Sequence, residues 1–280
     1  MPRCSRQRGV ALVAVLLLVA GLIAIATAVV TLSASQRRAA QRAYEADARR
    51  EILDSAVRVA LAEISFGKVE GPFWHPRQPR IVSVGGKRIE VTLEREAGRI
   101  DLNTADEKYL VAALVISGMT ESQARTGASR IRDWIDADEK PGLKEGAERA
   151  EYLNGGLKYE PRNAPMESVD EVRQVMGLRG LSDEGLDAFT VYSQQLEPAS
   201  AEAPQAARDS LAWLAGVAVL GGVNALPNPA LPNANEAVSY AGSVVRLRAC
   251  VEGEGDAPCR TIVVRVTGNT RQPFQVLLWR

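Results

Sequence analysis

The fold of this chain is decided by residues 10–30, VALVAVLLLVAGLIAIATAVV. They open a run of 27 uncharged residues that ends at Gln36, and the first charge after the run is Arg37. A helix of about 20 apolar residues crosses the roughly 30 Å hydrocarbon core of a bilayer. The run therefore predicts a membrane-spanning helix over residues 10–36.

A secretory signal peptide is the alternative interpretation of this segment. Its charged region would be Arg3, Arg6 and Arg8, and its small-residue cleavage site would be residues 33–35, SAS. The apolar core of an ordinary signal peptide has about 7–15 residues. Because the apolar run here is much longer, its length favours a span that stays in the mature protein.

The helix is predicted to continue beyond the span, because no proline lies between Pro2 and Pro72. Apolar residues recur there at the spacing of an amphipathic helix: Ile52, Ala56, Val59, Ala60 and Ile64. We therefore predict one helix of roughly 85 Å. Residues 10–36 form its transmembrane half and residues 37–66 form a stem.

Residues 67–100 and 211–280 are predicted to contain the strands of the fold. In the first part, apolar and polar residues alternate on both sides of Gly85-Gly86, which predicts a hairpin of residues 81–84 and 87–93. In the second part, the same alternation predicts three strands, at 244–251, 261–267 and 274–279. The Ala/Pro-rich sequence PASAEAPQAARDS predicts a linker over residues 197–210.

Short helices are predicted in residues 101–196. Three pairs have the spacing of a capping box, which marks a helix start: Thr104 with Glu107, Thr120 with Gln123, and Ser168 with Glu171. Five apolar residues can form one small core: Leu110, Leu114, Ile131, Trp134 and Ile135. The predicted fold class is α+β, in which a long N-terminal helix packs on an antiparallel sheet that carries a large helical insertion.

Two parts of the insertion, residues 101–119 and 168–186, resemble helix-hairpin-helix (SAM-like) units. Such hairpins often bind DNA phosphates, so a membrane-tethered receptor for DNA uptake is an alternative function. From Asp101 to Glu197 there are 19 acids and 11 bases, a net charge of 11 − 19 = −8. Because DNA binding depends on phosphate neutralisation, this acidic balance opposes it. We therefore expect no nucleic-acid partner and expect the hairpins to serve packing or protein contacts.

Acidic residues crowd residues 131–153, IRDWIDADEKPGLKEGAERAEYL, between the two hairpins. They are Asp133, Asp136, Asp138, Glu139, Glu145, Glu148 and Glu151. Hard cations such as calcium take six to eight oxygen ligands, and a flexible acidic loop can gather them. The spacing is not that of an EF-hand, and a solvated acidic loop is the alternative that the spacing leaves open.

Catalysis has no support in the sequence. The 34 basic and 34 acidic residues balance, and the single histidine, His75, lies in a loop rich in proline and glycine. The chain therefore has neither a Ser-His-Asp set nor a phosphate-binding glycine-rich loop before a helix. Its three cysteines do not form a Cys-X-X-Cys motif. We expect that this protein is not an enzyme.

The N-terminus resembles that of type IV pilins and pseudopilins, since Arg8-Gly9 ends a short basic leader and a hydrophobic helix follows at once. The resemblance implies that a prepilin peptidase cuts between Gly9 and Val10, leaving 280 − 9 = 271 residues, and methylates the new N-terminus. Most pilins have a glutamate at the fifth mature position, where it neutralises the terminal amine of a neighbouring subunit. This chain has Ala14 there. Because an unpaired buried charge is costly, Ala14 suits a subunit used once, at the end of a filament.

Four further motifs occur in the order GRIDLNTAD, DWIDADE, GAERAEYL and NAPMESVDEVRQVMGL. Over residues 6–195 this order is similar to that of the type II secretion system protein K family. The resemblance implies a pilin-like fold and a minor pseudopilin that caps the tip of the pseudopilus and supports protein export across the outer membrane. It also implies a single-pass protein of the bacterial inner membrane with its C-terminal domain in the periplasm. The implied partners are the I-type and J-type minor pseudopilins, the major pseudopilin, the prepilin peptidase and inner-membrane lipid.

The family carries bound calcium in its periplasmic part. The resemblance therefore implies calcium as a cofactor of this protein, with four carboxylates of the acidic stretch as ligands: Asp136, Asp138, Glu148 and Glu151.

Two cysteines, Cys250 and Cys259, flank a turn between predicted strands. They can form a disulfide if their Cα atoms lie within about 7 Å of each other, and two free thiols are the alternative. The oxidising periplasm that the resemblance implies favours the disulfide.

Overall fold

The computed structural model describes residues 7–66, 74, 78–142, 145–216, 239–254 and 258–280, with backbone only for residues 7–11. Most of the predicted leader and His75 lie outside the described residues. The chain divides into two compact units, Met1–Ile52 and Leu53–Arg280.

Helix α1 runs from Gln7 to Phe66, as the absence of proline predicted. In the first unit, the apolar side chains of its N-terminal half point outward all round; Leu16, Leu22 and Ile25, for example, are 60%, 57% and 63% exposed. By length and composition this helix is a candidate membrane span. A helix that is apolar on every side needs an apolar environment, and its closed backbone hydrogen bonds suit a bilayer.

Among the described residues of the second unit there are seven strands: β1 Arg80–Val84, β2 Lys87–Arg95, β3 Ile100–Asp101, β4 Phe189–Thr190, β5 Val244–Val251, β6 Arg260–Asn269 and β7 Gln272–Trp279. Five form one antiparallel sheet in the order β1-β2-β5-β6-β7. The predicted hairpin is present, with Gly85 and Gly86 at positive φ in its turn. Pairing of β2 with β5, which places Leu93 opposite Leu247, joins strands that are about 150 residues apart in sequence.

The C-terminal part of α1 and the sheet bury one core. Leu53, Ala56, Val57, Ala60 and Leu61 are at most 2% exposed. On β2 the residues alternate, so that Ile89, Val91 and Leu93 are fully buried whereas their neighbours are not. This is the pattern of a sheet with one face covered by a helix, and it bears out the predicted α+β class.

In the part of the chain that the structure describes, five further α-helices follow α1: α2 Glu107–Ile116, α3 Glu121–Ile135, α4 Arg149–Asn154, α5 Asp183–Leu186 and α6 Gln205–Leu214. Strands β3 and β4 pair in parallel, with Ile100 opposite Phe189, and so bring the two ends of the helical insertion together. Leu110, Leu114, Ile131 and Trp134 are buried in one core, as predicted, and Ile135 packs at its margin.

The capping predictions had mixed outcomes. Thr120 and Gln123 form the predicted capping box at the start of α3. Ser168 and Glu171 also form one, but it opens a 3-10 helix, Val169–Gln174. The prediction for Thr104 was wrong. Its hydroxyl donates to the Gln195 carbonyl, and α2 starts after Asp106 instead.

The predicted linker, residues 197–210, is structured, and so is the start of the predicted strand region 211–280. Ser200–Glu202 form a 3-10 turn, and helix α6 spans Gln205–Leu214. The physical reason is that small residues allow close approach: Ala203, Ala207, Ser210 and Ala212 are buried. Leu211, Trp213 and Leu214 pack against the core of the insertion. Residues 217–238 lie outside the described residues.

Asp54 on α1 ties this helix to the end of the sheet. Its Oδ1 accepts hydrogen bonds from Arg260 Nε at 2.6 Å and from Trp279 Nε1 at 2.9 Å. Burial raises the pKa of Asp54, but these hydrogen bonds and the nearby charges of Arg260 and Arg58 outweigh burial, so that the pKa lies below its ordinary value.

Asp54→Asn is therefore expected to lower the free energy of unfolding at pH 7 by about 1.5–3 kcal/mol, the range for hydrogen bonds to a charged group. Because the pKa of Asp54 is lower in the folded state, its contribution is present above the unfolded pKa and is lost as the pH falls through the folded pKa. Urea unfolding at pH 7 and at acid pH measures both effects. Asp47→Asn, at an exposed carboxylate on the same helix, is the control, and an equal loss in both variants would contradict the prediction.

Candidate functional site

The acidic stretch lies between α3 and α4. Helix α3 ends at Ile135, and Asp136 follows as its C-cap in an extended conformation. Helix α4 begins at Arg149, directly after Glu148. Asp136 and Glu148 thus lie at the two ends of the segment between α3 and α4, and the helices hold the backbone of both residues in place.

Three of the four predicted metal ligands come together. One carboxylate oxygen from each of Asp136, Asp138 and Glu148 lies within 4.8 Å of the others. We call these three residues the acidic cluster. The fourth predicted ligand, Glu151, is not part of it, because its Oε2 accepts the backbone N–H of Glu148 at 2.9 Å. Glu151 thus caps α4 and fixes the backbone of a cluster residue.

Glu148 is the most constrained member of the cluster. It is 2% exposed, and neither of its carboxylate oxygens has a hydrogen-bond partner among the residues that the structure describes. Burial and the charges of Asp133 and Asp136 raise its pKa to about 7. Burial and the charge of Asp138 also raise the pKa of Asp136. Buried carboxylates without a compensating donor or cation are costly, so this arrangement fits a bound hard cation with oxygen ligands.

Asp133 organises the loop that carries Glu148. It is 2% exposed, and its Oδ2 accepts the backbone N–H of Ala147 at 2.7 Å and that of Gly142 at 3.1 Å. Sequence reasoning counted Asp133 among the loop acids but missed this role. The available signal was a carboxylate at the end of a helix followed by two nearby glycines, Gly142 and Gly146.

Both glycines leave room for the Asp133 carboxylate. A Cβ at Gly146 would overlap Asp133 Oδ2 and the Gly142 nitrogen, and a Cβ at Gly142 would overlap the Ser129 hydroxyl. The loop therefore closes over Asp133 only because these positions have no side chain.

An aromatic group supports the same region. The rings of Trp134, Tyr152 and Tyr159 lie 5.8–6.4 Å apart, in tilted and edge-to-face arrangements. The Trp134 carbonyl accepts the Asn163 N–H at 3.0 Å, and Asn163 Nδ2 donates to Glu139 at 3.3 Å. Packing on both sides thus holds the end of α3 that leads into the acidic cluster.

The helix-hairpin-helix resemblance holds only in part. The first unit has two helices, α2 and α3, but the second has a 3-10 helix and the single-turn α5. Arginines in this region are paired with acids: Arg125 with Glu121, Arg162 with Glu171, and Arg173 with Asp183. In these ion pairs the arginine charges that could bind DNA phosphates are already neutralised by carboxylates.

The other predicted site residues lie elsewhere. Cys250, on β5, and Cys259, just before β6, form a disulfide with their Cα atoms 4.5 Å apart. Gly9 and Val10 lie in the backbone of α1, and residues 1–6 lie outside the described residues.

Comparison with known proteins places these features in context. Residues 93–187 match the family model for protein K of the type II secretion system. This range includes α2, α3, α4 and the whole acidic cluster.

Two curated relatives are type II secretion system K proteins. The protein from Pseudomonas aeruginosa is 30% identical over 189 residues, which cover 60% of this chain and 56% of that protein. The protein from Dickeya chrysanthemi is 37% identical over 65 residues, which cover 23% of this chain and 17% of that protein. The chain thus spans little more than half the length of the first relative and about a sixth of the second.

A solved structure shares the fold. It is a chain of the GspK-GspI-GspJ complex from the enterotoxigenic Escherichia coli type 2 secretion system, with a TM-score of 0.54 and 19% identity. The match covers 87% of this chain and 98% of that chain. At this identity the likeness shows the fold alone. Residues 93–187 thus match the protein K family model, and the resemblance of this chain to the type II secretion system protein K family is confirmed.

Proposed function

We propose that this protein is a minor pseudopilin of the type II secretion system. It caps the tip of the pseudopilus together with the I-type and J-type pseudopilins and so supports protein export across the outer membrane. The observation that carries the proposal is one chain with a 60-residue N-terminal helix, apolar in its first half, and a protein K domain. The complex in which the similar GspK chain was solved, with GspI and GspJ, supports the choice of partners.

The same proposal assigns the location. Helix α1 anchors the protein in the inner membrane by a single pass, and the domain after it lies in the periplasm. A disulfide between Cys250 and Cys259 supports an oxidising compartment. In this account the prepilin peptidase and the major pseudopilin act at the N-terminal helix, where Ala14 replaces the usual glutamate.

Co-purification tests the proposed partners. Tagged full-length protein is extracted from membranes that also contain the I-type, J-type and major pseudopilins, and the recovered proteins are identified by mass spectrometry. Stable recovery of the I-type and J-type subunits at high salt supports the tip assignment. If neither is recovered, and the protein instead shifts DNA in a salt-dependent manner, the DNA receptor becomes the better account.

Processing gives a second expected result. With an active prepilin peptidase, the intact mass of the membrane-extracted protein should fall by the mass of residues 1–9, and N-terminal sequencing should start at methylated Val10. Without the peptidase, the mass should be that of the whole chain. A terminus near Ser35 in either sample would contradict the pseudopilin assignment and favour a secretory signal peptide.

We further propose that the acidic cluster binds calcium. Asp136, Asp138 and Glu148 would hold the ion, which would neutralise the charge of a buried carboxylate that has no donor among the described residues. Glu151 and Asp133 act on the backbone around the cluster, because Glu151 caps α4 and Asp133 closes the loop.

Glu148→Gln is expected to have opposite effects without and with calcium. In a chelator, the variant should melt at a higher temperature than wild type, because it removes an uncompensated buried charge. With calcium, wild type should gain stability, by about 2.7 kcal/mol when the ion is at 100 times its dissociation constant, and the variant should gain much less.

Thermal unfolding of the full-length protein in detergent, followed by tryptophan fluorescence, measures these effects. Glu145→Gln, at an exposed carboxylate in the same loop but outside the cluster, is the matched control. If calcium stabilises Glu148→Gln and wild type equally, Glu148 is not a ligand.

A further inference from the structure

The charges at the start of the chain have one sign. The first 44 residues contain six arginines and no acid, and the first acid is Glu45. Since the whole chain has a net charge of zero, residues 45–280 carry 0 − 6 = −6. Three of the six arginines precede the apolar run, and the other three, Arg37, Arg38 and Arg42, follow it directly. We call these last three the arginine collar.

The arginine collar is exposed on α1. All three side chains are exposed, and in the part of the chain that the structure describes none of them has a hydrogen bond or an ion pair. The acids that follow have other partners. Glu45 Oε1 accepts a hydrogen bond from Gln41 Nε2 at 2.8 Å, and Asp47 Oδ1 lies 3.8 Å from Arg50 Nη1. The collar therefore presents three guanidinium groups that no described residue of the first unit neutralises.

The collar begins at the depth of lipid headgroups. The 23 residues from Val10 to Leu32 span about 34 Å of helix, close to the roughly 30 Å of a hydrocarbon core. Arg37 follows Leu32 by five residues, about 7 to 8 Å, which is the thickness of the polar interface on one side of a bilayer. Guanidinium groups bind phosphate oxygens through paired hydrogen bonds.

We propose that Arg37, Arg38 and Arg42 bind the phosphates of anionic phospholipids in the leaflet at the C-terminal end of the span. The proposal rests on the membrane anchoring given under the proposed function and adds a lipid class to it. Proteolytic removal of residues 1–9 would take away Arg3, Arg6 and Arg8 and leave the collar as the basic cluster next to the span. A subunit that leaves the bilayer for a filament tip must then break these lipid contacts.

Charge and position favour lipid over an acidic segment of another subunit. The three arginines lie five to ten residues beyond Leu32, about 7 to 15 Å along the helix, so the lipid surface is already near them when the helix is inserted. Attraction of an arginine to an anionic membrane surface amounts to about a fivefold change in affinity per residue. Three arginines together therefore predict a selectivity for anionic lipid of about a hundredfold at low ionic strength.

The test uses the full-length protein in nanodiscs of phosphatidylethanolamine and phosphatidylglycerol. Native mass spectrometry measures the ratio of the two lipids that stay bound to the released protein. Three variants are compared with wild type: R37Q/R38Q/R42Q, the charge-conserving R37K/R38K/R42K, and the control R149Q/R179Q/R271Q, which removes three exposed arginines distant from the span in sequence. A carbonate wash of the membranes, done first, shows whether each protein is membrane-anchored.

Wild type and the control should both enrich phosphatidylglycerol over phosphatidylethanolamine. In the glutamine variant of the collar this enrichment should be at least about tenfold lower, whereas the lysine variant should retain most of it. High salt should reduce the enrichment. The proposal is overturned if the collar glutamine variant enriches phosphatidylglycerol as wild type does, as expected if the collar pairs with acids of another subunit. Release of the wild-type protein by the carbonate wash would contradict the proposed membrane anchoring, and the proposal that the collar binds lipid would fail with it.

Discussion

Replacing Arg246 by alanine is expected to destabilise the folded domain by about 3–5 kcal/mol, the cost of breaking a buried ion pair on one side. Its partner, Glu96, is fully buried, and Arg246 Nε donates to Glu96 Oε1 at 2.7 Å. Thr190 on β4 also donates to Glu96. Without Arg246, the Glu96 carboxylate stays buried at the junction between the sheet and the helical insertion. It keeps the neutral Thr190 hydroxyl as a donor and the charge of the buried Arg99 nearby, but it loses the guanidinium that is hydrogen-bonded to it.

Arg248 provides a matched control on the same strand. It lies two residues beyond Arg246 on β5 but is exposed. Arg248→Ala should therefore change the free energy of unfolding by no more than about 0.5 kcal/mol. Urea unfolding of the full-length protein in detergent, followed by tryptophan fluorescence, measures both variants. Equal effects would show that the Arg246–Glu96 pair does not carry the stability assigned to it.

A paired replacement separates charge from packing. Arg246→Leu alone should be strongly destabilising, whereas Arg246→Leu combined with Glu96→Leu should recover much of the loss, since no buried charge is left without a partner. If the double variant is as unstable as the sum of the single variants, the two residues act independently.

Gly146→Ala is expected to have the second large effect, a loss of about 3 kcal/mol, at the upper end of the usual cost of overpacking. The added Cβ would overlap the Asp133 carboxylate and the backbone nitrogen of Gly142. Asp133 is buried and bonded to two backbone N–H groups, so it cannot move aside. The variant should also bind calcium less tightly than wild type, because the loop between Asp133 and Glu148 must shift.

Gly180→Ala is the control for this substitution. A Cβ at Gly180 meets no atom within 4 Å, and its φ is not in the left-handed region. Alanine there should leave stability unchanged or raise it by about 0.4–1 kcal/mol, because it restricts the unfolded chain. Thermal unfolding with and without calcium measures both variants. A Gly146→Ala protein as stable as Gly180→Ala would contradict the close packing of the loop on Asp133.

The elements set by local patterns could be predicted from sequence. The long helix follows from an uninterrupted apolar run and the absence of proline, and the hairpin follows from alternation on both sides of Gly85-Gly86. These signals are local, because helix and strand periodicities are properties of neighbouring residues. The Ala/Pro-rich segment misled the same reasoning. A flexible linker and a closely packed helix such as α6 can both be rich in alanine, so composition does not distinguish them.

The acidic site was predictable as a region but not as a set of residues. Composition pointed to seven carboxylates in residues 131–153. In the folded protein these carboxylates have different roles, since Asp133 closes the loop, Glu151 caps α4, and Asp136, Asp138 and Glu148 converge. The roles depend on backbone N–H groups that only a folded loop presents, so spacing alone carried no signal for them.

The sequence by itself determined the N-terminal helix, the five strands of the antiparallel sheet, the region of acidic residues and the resemblance to the protein K family. Only the tertiary structure decided that β2 pairs with β5, that Glu96 is buried against Arg246, and that Glu148 has no donor among the described residues. The physical reason is distance along the chain. A hydrophobic period acts over a few residues, whereas burial and charge pairing depend on groups up to about 200 residues apart, such as Asp54 and Arg260, that meet only when the core forms.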